Sequence, residues 1–171
     1  LFIERCLNLL KPGGKLGIVL PEGIFNNPSL AYVREFVEDR ARLLAVVSLP
    51  QETFAASGAS VKCSLLFLQK FTVEQSAQYA ALHTAARLEV AERHRPALEA
   101  ERLRVETAMT GIKAALALAK AEKDNAKIAQ ERARQKTLKA ELEAFERRLA
   151  DQIAVEARQL LKTRFDYPVF L

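Results

Sequence analysis

Apolar positions in the first seventy residues alternate between helical spacing and short continuous runs. Residues 1–10 carry an apolar helical face, and the following Pro12-Gly13-Gly14 predicts the end of that helix, because proline and glycine do not continue it. Three apolar runs predict strands, at residues 15–20, 43–49 and 61–69. Since these runs lack polar alternation, we expect the strands to be buried on both faces.

A further helix is predicted between the first two strands. Asn27 is suited to cap it, and Pro28 is pre-set for its first position. Its apolar face is formed by Leu30, Val33, Phe36 and Val37. Alternation of helices with strands favours an α/β layer fold for this part of the chain.

The apolar period changes in the second half of the chain. Two series are spaced by threes, fours and sevens, at positions 98, 105, 109, 112, 116 and 119 and at 138, 142, 145 and 149. Such heptad seams are typical of helices that pack along their length. The seam weakens near Lys123, which predicts a hairpin that turns near 121–127. The alternative is a single helix over 97–163, about 100 Å long, and Pro96 is expected to start or kink a helix.

Composition divides the chain in the same way. Five of the six glycines lie within residues 1–73, whereas 74–163 is rich in alanine. We therefore expect an α/β part over 1–73, a coiled-coil-like helical hairpin over 74–163, and an extended segment over 164–171. In the last segment Phe165, Tyr167 and Phe170 are expected to form one face of a strand packed against the α/β part.

Charge and cysteine content narrow the functional class. The formal net charge of +5 is a mild basic excess that permits nucleic-acid contact without requiring it. No apolar run approaches the length of a membrane span. Cys6 and Cys63 cannot form a disulfide framework, which favours a cytoplasmic setting. The first residue is Leu1 rather than Met, so we expect a piece of a longer protein.

Two stretches of the first half carry a family resemblance. LPEGIFNN, at residues 20–27, is followed by VSLPQETFAASGASVKCSLLFL, at residues 47–68. In this order they resemble the later part of the catalytic domain of N-6 adenine DNA methylases, above all the modification subunit of type I restriction–modification systems. The resemblance covers residues 1–71 and extends to RFDYPVF at 164–170. It implies the back half of a Rossmann-like methyltransferase sheet.

The resemblance also implies a reaction. Members of the family transfer a methyl group from S-adenosylmethionine to the exocyclic amine of adenine, which is flipped out of duplex DNA. Neither the glycine-rich cofactor loop nor the Asn-Pro-Pro-aromatic motif is present in this chain. Asn26-Asn27-Pro28-Ser29 and Asp166-Tyr167-Pro168-Val169 match that motif only in part. We therefore expect no cofactor site, no catalytic residue and no methyl transfer by this chain alone.

Five residues are candidates for functional roles, two through the resemblance and three through their side-chain chemistry. Phe54 matches the aromatic position that packs on the flipped adenine, and stacking on a base is worth about 1–3 kcal/mol. Lys62, Ser57 and Ser60 are suited to contact DNA phosphates. Asn26 lies in the loop after the first strand, near the expected base pocket. The alternatives are a core phenylalanine, a solvated loop, and a loop whose geometry Pro21 and Gly23 fix.

The second half offers weaker signals. His83 and His94 lack metal-ligand spacing, and we expect both at the surface. Basic residues concentrate between Lys120 and Lys139, which permits a contact between the hairpin tip and DNA. The alternative is a solvated face. The seams either pair the arms of one hairpin or present a groove to a partner helix.

The leading hypothesis is a fragment of a DNA adenine N-6 methyltransferase subunit. The resemblance implies duplex DNA, a specificity subunit and a restriction subunit as partners, and no membrane. The alternative is a non-catalytic helical interaction module on an α/β platform. A methyltransferase acting on RNA or protein is a third possibility.

Overall fold

The computed structural model describes residues 2–58 and 60–170. The chain divides into two compact units. One unit, here called the sheet unit, runs to Leu82 and resumes at Phe165. The other, the hairpin unit, is His83–Arg164.

The first helix, α1 (Phe2–Leu9), confirms the apolar face predicted at 1–10. Its carboxyl end is closed by Lys70, whose Nζ donates to the carbonyl oxygens of Leu7 and Leu10 at 2.8 Å each. A helix end leaves its last carbonyls without internal partners, so this ammonium supplies both hydrogen bonds and a favourable charge. The turn that follows uses Gly13 in left-handed geometry, with φ of 74°.

Three strands form one sheet: β1 (Lys15–Pro21), β2 (Ala41–Ser48) and β3 (Cys63–Lys70). Their order is β1-β3-β2, and β3 is antiparallel to both neighbours. Consequently β1 and β2 run in the same direction on either side of β3. This sheet, with α-helices between β1 and β2, confirms the predicted combination of an α/β part with a helical hairpin.

One face of the sheet carries the core of the sheet unit. It packs against α1 and against α3 (Ala31–Glu38). The core residues are Ile3, Leu7, Ile18, Leu20, Val37, Ala41, Leu66 and Leu68. The expectation that the strands are buried on both faces is wrong for the described residues. Val19 is 45% exposed and Phe67 39% exposed, because alternate side chains point away from the helices.

The segment between β1 and β2 confirms the predicted cap. After a single helical turn, α2 (Gly23–Asn26), a 3₁₀ turn (Pro28–Leu30) leads into α3. Asn27 Oδ1 accepts hydrogen bonds from the backbone N–H (2.9 Å) and the hydroxyl (2.8 Å) of Ser29. The side chain thus satisfies a donor at the start of the turn, as expected of a capping asparagine.

The extended segment after the hairpin contributes two aromatic side chains to the sheet unit. Phe165 packs edge-on against Phe71 and Tyr79, with ring centroids 5.4 and 5.3 Å apart. The Tyr167 hydroxyl accepts a hydrogen bond from the Leu43 N–H at 3.3 Å, and burial raises the pKa of this tyrosine.

Phe170 does not share this aromatic face, so that expectation is wrong. Its side chain is 74% exposed, because it follows Tyr167 by three positions, an odd number, and a strand period is two. Its backbone instead pairs with the outer edge of β2, through hydrogen bonds with Leu44 O (2.9 Å) and Val46 N (3.0 Å).

Two long helices, α4 (Val73–Ala121) and α5 (Asn125–Arg164), pack as a hairpin. The turn at 122–124 confirms the predicted reversal and excludes a single helix over 97–163. Lys123 takes a left-handed conformation there, with φ of 56°. Pro96 lies inside α4, so no helix starts at it.

The seam between the arms follows the predicted heptads. Val105, Ile112 and Leu138 form one buried cluster, and the predicted positions Met109, Leu116 and Leu142 pack against it. The buried residues of the two helices are Ala86, Val90, Val105, Ile112, Ala119, Leu138, Leu149, Ala157 and Leu161. Polar side chains interrupt it. His94 Nε2 lies 2.9 Å from Glu156 Oε2, so the expectation of a surface histidine is wrong for His94. This hydrogen bond, and one from Gln152, hold the pKa of Glu156 below its ordinary value.

Within the described residues, no helix combines the length and the apolar character that crossing a membrane requires.

Candidate functional site

The loops that the sequence singled out meet at one end of the sheet. Pro21, at the end of β1, is opposite Cys63, and Ser48, at the end of β2, is opposite Ser64. The exits of β1 and β2 therefore lie beside the entrance of β3. We call this end of the sheet, with residues 22–26, 49–58 and 60–62, the loop edge.

A lysine and a glutamate join two strands of the loop edge. Lys62 Nζ lies 3.2 Å from Glu22 Oε2, and the Glu22 N–H donates to Lys62 O at 3.0 Å. The Lys62 side chain is 43% exposed. An exposed ion pair is worth little, at most about 1 kcal/mol, so a phosphate can displace the carboxylate from this ammonium.

The sequence reasoning named Lys62 without its partner. Glu22 follows β1 directly and Lys62 precedes β3 directly. In an antiparallel pair these flanking positions face each other. The signal that identifies Glu22 is therefore the antiparallel pairing of β1 with β3, which periodicity alone did not provide.

Phe54 lies in a 3₁₀ helix (Gln51–Ser57) that follows β2. Pro50 begins this turn, since Thr53 donates to Pro50 O from its N–H (3.1 Å) and its hydroxyl (2.7 Å). Gly58 ends it in left-handed geometry, with φ of 78°. Phe54 is half-buried and is absent from the described core of the sheet unit. Its ring is thus carried on a short turn at the loop edge and does not belong to that core.

The loop after β1 is held from α3. Arg34 Nη1 donates to Ile24 O at 2.8 Å and to Asn27 O at 3.0 Å. These bonds close the carboxyl end of α2 and fix the position of Asn26, whose side chain is exposed. Loop geometry here rests on Arg34 and on the Asn27 cap as well as on proline and glycine.

The remaining predicted residues follow the turn that carries Phe54. Ser60 is exposed and precedes Lys62 by two positions. The side chain of Ser57 lies outside the described part of the structure. Among the described residues, no side-chain hydrogen bond links Asn26 or Ser60 to Lys62. The loop edge therefore brings an aromatic ring, a hydroxyl, an amide and a cation to one end of the sheet, where Glu22 and Lys62 are joined by an ion pair.

The loop edge does not fit S-adenosylmethionine. A nucleotide-like cofactor requires a glycine turn between a strand and the amino terminus of a helix. β1 instead ends at Pro21, and the Gly23 that begins α2 has no positive φ. β2 is followed by Leu49-Pro50. The described glycines with positive φ, Gly13 and Gly58, each precede an extended segment. In the same part of the chain, no cluster of histidine, cysteine and carboxylate side chains is suited to hold a metal ion.

A depression of about 450 Å³ lies on the helical side of the sheet unit. Its walls come from α1, α3 and the loop after β1, with Phe2, Tyr32 and Phe36 among the lining residues. The lining is almost wholly apolar, with Glu4 as its charged member. It offers surface area to an apolar group rather than groups for catalysis.

Comparison with known proteins finds partial similarity to two of them. A curated relative, "Defense against restriction protein B" of Escherichia phage P1, is 27% identical over 82 residues, which is 48% of this chain and 4% of that protein. A solved structure of a putative class I S-adenosylmethionine-dependent methyltransferase from Listeria monocytogenes has 29% identity, a TM-score of 0.38, and coverage of 42% of this chain and 21% of the other. This chain thus spans a small part of each.

The sequence profile of the N-6 DNA methylase family matches residues 1–142. That match includes the whole loop edge and most of the hairpin. Because it spans far more than half of the 171 residues, the chain belongs to the N-6 DNA methylase family, as the resemblance of residues 1–71 had predicted.

Proposed function

We propose that this chain forms the target-base wall of a site-specific DNA adenine N-6 methyltransferase subunit in a restriction–modification system. The observation that carries the proposal is the convergence of the loops after β1 and β2 with the start of β3 at the loop edge. In open α/β sheets the carboxyl ends of the strands line the binding crevice. Membership of the N-6 DNA methylase family supports DNA as the substrate.

Each side chain of the loop edge has a role in this proposal. The half-buried Phe54 ring stacks on the flipped adenine, since a flat apolar face suits a base. Lys62, released from Glu22, binds a phosphate beside the flipped nucleotide, with Ser60 and Ser57 as hydroxyl donors. The exposed Asn26 amide lies along the same DNA strand. These groups position DNA and take no part in bond making.

The complete enzyme takes its methyl group from S-adenosylmethionine. The described residues do not fit that cofactor, so its site belongs elsewhere in the complete protein, and we expect this chain alone to be inactive. Holding the base in place is still a large contribution, because alignment of reacting groups supplies much of the rate of a transfer reaction.

Protein partners are a further part of the proposal. We assign the hairpin unit to docking on a specificity subunit, with a restriction subunit as a second partner, in a cytoplasmic complex. Support comes from the length of α4 and α5 and from exposed leucines on α4, at positions 88, 103 and 118. The same observation favours the alternative function, a helical interaction module on a structural platform.

The Phe54→Ala variant in the longer methylase separates these functions. Unmethylated genomic DNA is the substrate, and incorporation of labelled methyl groups is measured at saturating cofactor. Loss of one base stack is expected to lower incorporation about ten- to a hundredfold.

Two controls accompany this variant. Phe170→Ala removes an exposed aromatic side chain that does not belong to the loop edge and should leave incorporation unchanged. Phe54→Tyr retains a stacking ring and should preserve most of the activity. Unchanged incorporation in a folded Phe54→Ala protein would refute the base-wall role and favour the interaction module.

A further inference from the structure

Five exposed cations lie on one side of the hairpin unit near its turn. Lys113 and Lys120 on α4 are seven residues apart, and therefore share a helical face. Arg132, Lys136 and Lys139 on α5 are spaced by four and three, and also share a face. All five side chains are exposed.

A contact across the seam shows that these two faces form one surface. Arg102 Nη2, on α4, lies 2.7 Å from Glu146 Oε1, on α5. Lys113 and Lys120 follow Arg102 by 11 and 18 residues, about three and five helical turns. Lys139 precedes Glu146 by seven, about two turns. Both sets of cations therefore lie on the side marked by the Arg102–Glu146 pair. We call this surface the basic flank.

The opposite side of the hairpin differs in charge. It is marked by Arg104 Nη2 and Glu141 Oε2, 3.6 Å apart. Near the turn Lys127 is paired with Glu122 (3.3 Å) and Asp124 (3.5 Å). On the basic flank, by contrast, none of the five cations forms an ion pair with another described residue. Their charges are thus available to a ligand.

The size of the basic flank fits a nucleic-acid backbone. The offsets of Lys120 from Arg102 and of Lys139 from Glu146 give their positions along the hairpin axis, at a rise of 1.5 Å per residue. On that axis the cations extend from Lys139 to Lys120 over about 16 Å. This length corresponds to about five phosphates of one DNA strand at 3.4 Å each. Glu106 and Glu143 lie on the same side, farther from the turn, so the positive field is concentrated at the turn end.

The residues around these cations disfavour a partner helix. Leu103 follows Arg102 by one residue and Leu118 precedes Lys120 by two, so each points about 100–200° away from the basic flank. The exposed leucines of α4 thus occupy other faces. A surface that exposes four lysines and one arginine recognises charge rather than base sequence. The apolar Met109 and Leu116 of the same helical face are half-buried against the seam.

We propose that the basic flank binds the phosphate backbone of duplex DNA, as a second contact separate from the loop edge. This proposal rests on the proposed action of the protein on DNA. The basic flank supplies sequence-independent affinity, while the loop edge holds the target base.

Binding of the 171-residue chain to a labelled DNA duplex tests the proposal. Fluorescence anisotropy is recorded between about 50 and 200 mM NaCl. Arg132→Gln combined with Lys136→Gln removes two charges from the basic flank. Arg134→Gln combined with Arg148→Gln removes two from α5 on the opposite side, since both share the helical face of Glu141.

The proposal predicts that the flank variant lowers the slope of log K against log salt by about 2, since each phosphate contact contributes about 0.9. Its affinity should fall about tenfold at moderate salt, while the control variant binds as the unmodified chain does. Equal weakening by both variants would show a general charge effect and overturn the proposal. Binding of polyglutamate or duplex RNA in preference to DNA would also overturn it.

Failure here and failure of the proposed function are distinguishable. In the longer methylase, Phe54→Ala should lower methylation without altering the salt dependence of DNA binding. If that holds while the flank variant binds DNA normally, only the basic flank is refuted as a DNA site.

Discussion

Replacing Lys70 by methionine tests how the sheet unit holds its first helix. The ammonium donates two part-buried hydrogen bonds, at 2.8 Å each, to the carbonyl oxygens of Leu7 and Leu10. Methionine keeps most of the apolar stem but removes both donors and the positive charge. The variant therefore leaves two carbonyls without their partner at the carboxyl end of α1.

The magnitude follows from these contacts. A hydrogen bond to a charged group contributes about 1.5–3 kcal/mol, and a cation at a helix carboxyl end about 0.3–1 kcal/mol. The two bonds share one ammonium and water can reach part of the site, so their contributions do not add in full. We expect Lys70→Met to lower the free energy of unfolding of the sheet unit by about 3 kcal/mol.

Tyrosine emission in a urea titration measures this change selectively. The chain has no tryptophan, and its three tyrosines, Tyr32, Tyr79 and Tyr167, all belong to the sheet unit. Far-UV circular dichroism is dominated by α4 and α5, and so follows the hairpin unit in the same samples. The midpoint of the emission transition should shift to a lower urea concentration in the variant. The midpoint of the circular-dichroism transition, which follows the hairpin unit, should change little.

Lys11→Met is the matched control. Lys11 is exposed, lies in the turn after α1, and its side chain forms no hydrogen bond with another described residue. Its replacement should change stability by less than about 0.5 kcal/mol. If Lys70→Met and Lys11→Met have the same small effect, the ammonium does not stabilise the end of α1, and the reasoning is refuted.

Two further predictions concern the hairpin unit, both followed by thermal unfolding with far-UV circular dichroism. Glu131 Oε2 is buried without a hydrogen-bond partner among the described residues, so Glu131→Leu should stabilise the hairpin by about 1 kcal/mol. The control variant Glu143→Leu, at an exposed position, should not stabilise it. A loss of stability in Glu131→Leu would contradict this prediction. The His94 hydrogen bond lowers the pKa of Glu156, so its stabilisation is present above the ordinary carboxyl pKa of 4.5 and is lost as pH falls through the lowered value. Glu156→Gln should therefore lower the melting temperature at pH 7, with a gap to the unmodified chain that closes in acid; a gap that stays constant would exclude this linkage.

The hairpin was the most predictable part of the fold. Its seam depends on local spacing, and a break in the spacing near Lys123 marked the turn. Pro96 suggested the start of a helix, because proline disfavours a helix interior by about 3 kcal/mol. The proline instead lies inside a helix of 49 residues, whose packed seam tolerates it. Local propensity was overridden here by tertiary packing.

The sheet was less predictable because its pairing joins distant residues. Periodicity located the three strands, but continuous apolar runs suggested burial on both faces, while Val19 and Phe67 are exposed in the described structure. The Glu22–Lys62 ion pair was not predicted for the same reason, since the antiparallel register of β1 and β3 brings these two residues together. The base-stacking role of Phe54 at the loop edge was predicted from the family resemblance rather than from the apolar pattern of the sequence.

The pairing of Phe170 with β2 has a consequence for the order of folding. This residue bonds to Leu44 and Val46, yet the whole hairpin unit lies between them along the chain. A ribosome therefore completes both helices before the residue that covers this edge of β2 emerges. Until then the edge presents unpaired backbone groups, which invite pairing with another nascent chain. Rapid, local formation of the hairpin would shorten this exposed interval, because helical contacts form faster than contacts between distant residues.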